Sequence, residues 1–313
     1  MNGFVTSPRL LTIRYHRPSV IKMNSAFKMP LEQRVCKQIR GGALPSTAAL
    51  LTASFLPTAL GIWKTGYAVS YGYGGAMLVA AALYLRDAAA VSVAKWHALA
   101  LLFYGLRLNL FLLYRELALD PEIHGMTARA ATFNERLRRV PLICCCAMLY
   151  FGMAAPLRAT ALGGNTATWG SSIAITIAVA ATWLGFLLAA VGDLIKSYVK
   201  SKRGPKYLVT CWPFDRLRHP NYTGECFGWT ASFFAAIFAT LSGSAPLSWL
   251  VWSVAGWIGI LFVLAREAAP VLEMKQKERY GDSSEYISWV KKTWAGPMLQ
   301  TRQPVAEEGT TEK

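Results

Sequence analysis

The sequence predicts an all-α fold, a polytopic membrane helical bundle with about seven transmembrane helices. Three observations carry that prediction. Charged residues make up 16% of the chain, against about 25% in soluble domains. Hydrophobic residues make up 54%, and the mean hydropathy is +0.31. Uncharged runs occupy 43–63, 65–85, 140–157, 169–192, 226–242 and 246–265, and a seventh, 96–114, is interrupted only by Arg107. At about 1.5 Å of rise per residue, a helix crosses a hydrocarbon core of about 30 Å in about 20 residues. Inside lipid the backbone must satisfy its own hydrogen bonds, which makes these runs helices. Together they exceed what a soluble core of this length buries.

The same numbers exclude other classes. The apolar fraction is too high for intrinsic disorder. Six cysteines, three of them adjacent, are too sparse for a secreted disulfide scaffold. The balance of 33 Lys+Arg against 17 Asp+Glu, net +16, would suit a nucleic-acid binder, but the long uncharged runs would not. No nucleic acid and no metal is therefore expected as a partner. The partners expected are membrane lipid and a lipophilic small molecule, with the oligomeric state left open.

The basic residues read as topology instead. If the 193–225 loop faces the cytoplasm, stroma or matrix, that side collects 21 Lys and Arg, and the opposite loops hold Arg86, Lys95 and Arg158. The N-terminus then lies outside, because five runs precede residue 193. Residues 1–42 form a basic arm carrying eight basic residues and one acid, Glu32. This arm has two readings, a removable organelle transit peptide or a retained tail on anionic lipid. Residues 43–297 form the membrane domain and 298–313 a polar tail. The expected location is an organelle (plastid or mitochondrion) or endoplasmic reticulum membrane.

Chemistry concentrates between Asp193 and Glu225. Arg218-His219-Pro220-Asn221-Tyr222-Thr223-Gly224-Glu225 places Pro220 where a helix tolerates its missing N–H, in the first turn. Helix N-termini expose unpaired N–H groups that favour phosphate, and Arg218 and His219 add donors beside them. Asn221 and Glu225, four apart, share a helix face with Tyr222 nearby. A carboxylate inside a membrane helix is costly unless paired or used. The alternative is a basic flank holding lipid headgroups, with Asn221 and Glu225 anchoring the helix. Arg107 lies about 10 Å from the inner edge, so it either snorkels or faces a polar cavity.

His219-Pro220-Asn221-Tyr222-x-Gly224-Glu225 resembles the signature of the steroid 5α-reductase C-terminal-domain family, in particular its domain-of-unknown-function branch. Asp193-x-x-Lys196 with Lys200, Gly105-Leu106-Arg107-Leu108-Asn109 through Arg115, Pro270-x-x-Glu273 and Arg279-Tyr280-Gly281-Asp282 with Glu285-Tyr286 add to the resemblance, over roughly residues 100–297. The resemblance implies a membrane reductase that takes NADPH and passes hydride to a polarised double bond of a sterol-, steroid- or isoprenoid-like substrate. It implies a cofactor pocket lined by Arg107, Asp193, Arg218, His219, Asn221, Tyr222 and Glu225. Lys200 would add charge for the phosphates, and Tyr286 would close the site from the tail. Two departures stand out. Asp215 occupies a position where the family carries a basic residue, and no acid lies between 43 and 85 to hold a substrate carbonyl. Tyr67, Tyr71 and Tyr73 are hydroxyl donors in that region. The proton donor itself is not identified.

Two other readings remain. An S-adenosylmethionine-dependent isoprenylcysteine- or phospholipid-type methyltransferase shares Arg-His-Pro-x-Tyr-x-Gly, and a non-catalytic membrane relative would bind lipid or a partner. Cys144, Cys145 and Cys146 read as buried filler, and His97 and His124 lack companions at metal spacing. Trp212, Trp289 and Trp294 read as interfacial anchors. Residues 266–294 read as an amphipathic cap over the cofactor or a segment lying on the membrane.

Overall fold

In the computed structural model of this protein the described residues are 44–87, 92–119, 132–163, 169–243 and 245–297. The basic arm, His124 and the polar tail lie outside them. Among the described residues every regular element is a helix. The helices are α1 (Thr47–Thr58), α2 (Thr65–Val69), α3 (Tyr71–Asp87), α4 (Val93–Tyr114), α5 (Phe133–Leu137), α6 (Val140–Gly163), α7 (Trp169–Arg203), α8 (Pro220–Leu241), α9 (Leu247–Phe262), α10 (Ala269–Tyr280) and α11 (Ser284–Lys292).

Among the described residues five helical stretches are long and apolar enough to cross a membrane: Val93–Leu117, Phe133–Gly163, Trp169–Arg203, Pro220–Leu241 and Leu247–Tyr280. The first two uncharged runs do not form single long helices. Helix α1, with Pro57 in its last turn, tightens into a 3₁₀ turn at Ala59–Ile62. The second run is split at Ser70, whose φ of −112° and ψ of −86° leave the helical region. Apolar composition alone conceals such a break, because it counts charges and not backbone angles.

Helix α7 has 35 residues, about 52 Å of rise, so it outruns the hydrocarbon core and carries Lys200, Lys202 and Arg203 in its last turn. Helix α8 packs most extensively on α7. The two backbones meet through small residues, as membrane helices do when no side chain stands between them. A Cβ added at Gly224 would fall 2.5 Å from the Ala189 amide nitrogen and the Gly185 carbonyl oxygen. Lower down, one at Gly192 would lie 3.0 Å from the Asn221 amide nitrogen. That second approach sets Asp193 beside the first turn of α8.

The centre of the bundle is aromatic. Tyr73, Tyr104, Tyr150, Phe186 and Trp229 cluster there, with Tyr73 and Tyr150 stacked at 5.3 Å, and Trp229 Nε1–H donates to Tyr73 Oη at 2.7 Å. His97, fully buried, joins three helices. Thr160 Oγ1 gives its proton to the Leu157 carbonyl at 3.0 Å, so at 3.1 Å it accepts from His97 Nδ1–H. Nε2 then accepts from Ser232 Oγ–H at 2.9 Å. The outward faces carry Leu106, Leu110, Ile177, Leu184, Phe234 and Ile258, all exposed, as a lipid-facing belt requires.

Two sequence expectations need correction. Of the three adjacent cysteines only Cys146 is buried. Consecutive helical side chains step by about 100°, so Cys144 and Cys145 turn outward. Trp289 is not an interfacial anchor. It is 6% exposed and donates Nε1–H to the Phe214 carbonyl at 2.6 Å. His97, expected to lack companions at metal spacing, spends both ring nitrogens on two hydroxyls.

Gly224→Ala should destabilise the protein by about 1–3 kcal/mol, the usual cost of overpacking. Gly170→Ala, where an added Cβ meets nothing within 4 Å, should be neutral or slightly stabilising. Thermal unfolding of the two variants in one detergent checks the contrast.

Candidate functional site

Helix α8 begins at Pro220, with Pro in its first turn and His219 at the cap. Four of the residues singled out in the sequence converge around that turn. Arg107, from α4, turns into the bundle rather than snorkelling. Its Nη1 donates to Asp193 Oδ2, and its Nη2 lies 3.5 Å from Glu225 Oε1. Asn221 Nδ2 donates to Asp193 Oδ1 at 3.2 Å. The guanidinium carbon stands 5.1 Å from the centre of the Tyr104 ring. Asp193 and Glu225 are both buried, so this is an internal ion cluster with two carboxylates for one guanidinium. It is incompletely bonded: Arg107 Nε and Nη2 have no hydrogen-bond partner, and neither does the neighbouring Thr223 Oγ1.

A second cluster sits just before the helix. His219, 1% exposed, has Nε2 2.6 Å from Glu273 Oε1. A carboxylate only accepts, so Nε2 carries the proton there. Arg218 Nη1 donates to Glu273 Oε2 at 3.3 Å. His219 Nδ1 and Arg218 Nε are buried without partners. The Tyr222 ring lies 6.0 Å from the His219 ring.

The tail holds this arrangement closed. Leu217 and Trp294 form a parallel bridge. Arg218 N–H donates to the Trp294 carbonyl at 2.9 Å, and Trp294 N–H donates to the Arg216 carbonyl at 3.0 Å. Gly296 has a φ of +96°, and a Cβ there would fall 2.5 Å from Thr223 Oγ1, so the tail runs directly against α8. Tyr286 is buried with Trp289, Leu208, Val209 and Phe214. Burial pushes its phenol above the ordinary value, and it stays neutral. The segment after α9 is thus a cap folded on the 204–218 loop.

Lys200 stands apart from the ion cluster. Its Nζ donates to the Pro205 carbonyl at 3.0 Å and braces the turn after α7. It shares an electrostatic neighbourhood with Lys196, Arg115 and Arg279, a basic group one turn beyond Asp193. The three tyrosines divide. Tyr67 Oη donates to Glu116 Oε1 at 2.5 Å and Tyr71 Oη to Oε2 at 2.8 Å. Tyr73 lies in the aromatic centre. Lys64 Nζ completes the Glu116 group, 2.9 Å from Tyr67 Oη and 3.1 Å from Oε1. Hydrogen bonding to Tyr67, with Glu116 adding to it, raises the Lys64 ammonium above its ordinary value. Asp215, the departure from the family pattern, makes a 3.8 Å pair with exposed Arg216.

Glu273 is the residue that sequence reasoning left without a role. A single acid on a tail helix gives no sign that it faces His219, 54 positions away. Among the described residues no group of His, Cys, Asp and Glu is arranged to hold a metal ion. A family model described as "Protein of unknown function (DUF1295)" matches residues 63–293. No curated protein and no solved structure matches.

Replacing Arg107 with Ala leaves two buried carboxylates without their cation, which costs about 3–5 kcal/mol. Arg107→Ala with Asp193→Asn and Glu225→Gln should recover much of that loss, and thermal unfolding of the single and triple variants measures it.

Proposed function

This chain belongs to that family, the family of steroid 5α-reductase-like proteins, and from that membership and the α7–α8 site we propose that it is a membrane-embedded, NADPH-dependent reductase. Its substrate would be a lipophilic molecule of sterol, steroid or isoprenoid type, bearing a double bond polarised by a neighbouring acceptor. The observation that carries this reading is the set of buried, unpartnered polar atoms around the first turn of α8: Arg107 Nε and Nη2, Arg218 Nε, His219 Nδ1 and Thr223 Oγ1. Buried polar groups are seldom left unpaired, so these groups, donors apart from the His219 Nδ1 acceptor, fit a polar ligand seated at a helix N-terminus.

The residues suit a dinucleotide in two respects. Arg107, Asp193, Asn221, Tyr222 and Glu225 offer both donors and acceptors, the complement that ribose hydroxyls and a carboxamide require. Arg218, with Lys196, Lys200 and Arg279 beyond it, supplies positive charge for phosphates. The bound cofactor would supply hydride to the β-carbon of the double bond. The chain's own part is to bind and exclude water: the α10–α11 cap covers the site and Glu273 orients His219.

Two carboxyl groups meet at Arg107, and carboxylates would also receive a sulfonium, so S-adenosylmethionine is the second reading. That ligand has no phosphate for Arg218 and the lysines to hold. A seven-pass arrangement accompanies the proposal. The α1 segment with its 3₁₀ turn and α3 each rise about 26 Å, short of the usual core by a few ångströms that local thinning accommodates.

Titration of purified protein with NADPH and with S-adenosylmethionine should give saturable binding of NADPH alone. Asn221→Ala and Glu225→Gln should each abolish that binding and leave membrane insertion unchanged. Retention of NADPH-dependent turnover by both variants would show that the cofactor lies elsewhere.

A further inference from the structure

At the end of the bundle that bears Lys64 and Glu116, a cleft opens between the α1 turn and α5. It is lined by Leu56, Ala59, Leu60, Ile62, Trp63 and Arg136. Its apolar walls are unusually open: Leu56 is 68% exposed and Trp63 70% exposed. Phe133 and Leu137 of α5 add two more exposed apolar side chains beside it.

The cleft is a built feature. Thr132 and Glu135 form a capping box that fixes the start of α5. Arg139 then reaches across, its Nη1 donating to the Ile62 carbonyl at 3.0 Å and to the Trp63 carbonyl at 2.8 Å. Those two bonds tie the α5–α6 corner to the end of the α1 turn and use Arg139 structurally. Arg136 and Arg138 are exposed and make no ion pair among the described residues. Among the described residues, Glu116 is held by Lys64 and the tyrosines, and over 132–139 Arg136, Arg138 and Arg139 outnumber one acid, Glu135. Arg136 is the charged residue that lines the cleft, and its walls are otherwise apolar.

We propose that this cleft is a binding site for one anionic phospholipid, with an acyl chain along Leu56, Leu60, Ile62 and Trp63 and the phosphate at Arg136. Charge complementarity selects the occupant. A guanidinium grips phosphate through paired N–H groups, and an amphiphile alone satisfies both the wall and the mouth. Trp63 sits where the polar and apolar parts meet, the position an indole favours at a bilayer interface. The site is separate from the α7–α8 ion cluster and independent of the reductase reading.

Native mass spectrometry of the full chain, released from detergent with phosphatidylglycerol, phosphatidylcholine or water-soluble glycerol phosphate, tests the proposal. One phosphatidylglycerol should be retained in preference to phosphatidylcholine, and glycerol phosphate should not displace it. Each basic residue near a membrane surface contributes about 1 kcal/mol toward anionic lipid, so Arg136→Ala should weaken retention roughly fivefold. Arg136→Lys should retain most of the binding, and Leu60→Asn should weaken it with Arg136 in place. Equal retention by wild type and the Arg136→Ala variant would overturn the proposal. So would equal retention of the two lipids, displacement by glycerol phosphate (a free-phosphate site), or a dimer that buries Trp63 in place of lipid.

Discussion

A charge carried into a membrane bundle has to meet its counter-charge inside it, because solvation is not available there to compensate. Arg107 is such a charge, and much of the structure around it follows from that demand. It draws Asp193 from α7 and Glu225 from α8 to one point, so α4, far off in sequence, must converge with that pair. Convergence at that distance requires backbones in near contact, which the glycines at 185, 192 and 224 allow. The α7–α8 approach and the ion cluster are therefore one constraint seen from two sides.

The tail depends on the same junction. Once α8 starts at Pro220, the turn residues before it leave backbone groups to be paired. Trp294 takes two of them at Arg216 and Arg218, and Glu273 takes the side chains of Arg218 and His219. The cap so formed has its own apolar contacts, with Tyr286 and Trp289 buried against Leu208, Val209 and Phe214. The tail thereby covers the start of α8, and the proposed hydride chemistry would use that cover to exclude water.

The sequence made the helical class legible through its uncharged runs, and it exposed Arg107 because a single charge interrupts one of them. It did not pair Arg107 with its partners: the carboxylates lie 86 and 118 positions away, and periodicity within one helix carries no information about its neighbours. The start of α8 was legible, since Pro220 marks a first turn. The break at Ser70 was not, because an uncharged stretch hides a change of backbone angle. Trp289 misled for a related reason. A tryptophan near a span suggests an interface, yet the tail folds onto the 204–218 loop and buries it. Glu273 stood within a recognisable pattern but acquires meaning only when α10 is placed against His219.

The central claim is that the polar junction of α7 and α8 serves hydride transfer to a lipid. The most direct measurement incubates the purified protein with NADPH deuterated at the transferring position and a lipid extract, and reads the products by mass spectrometry. The account predicts an NADPH-dependent lipid product that carries one carbon-bound deuterium and has lost one double bond. Transfer of a labelled methyl group from S-adenosylmethionine, with no deuterium in any lipid, would contradict it.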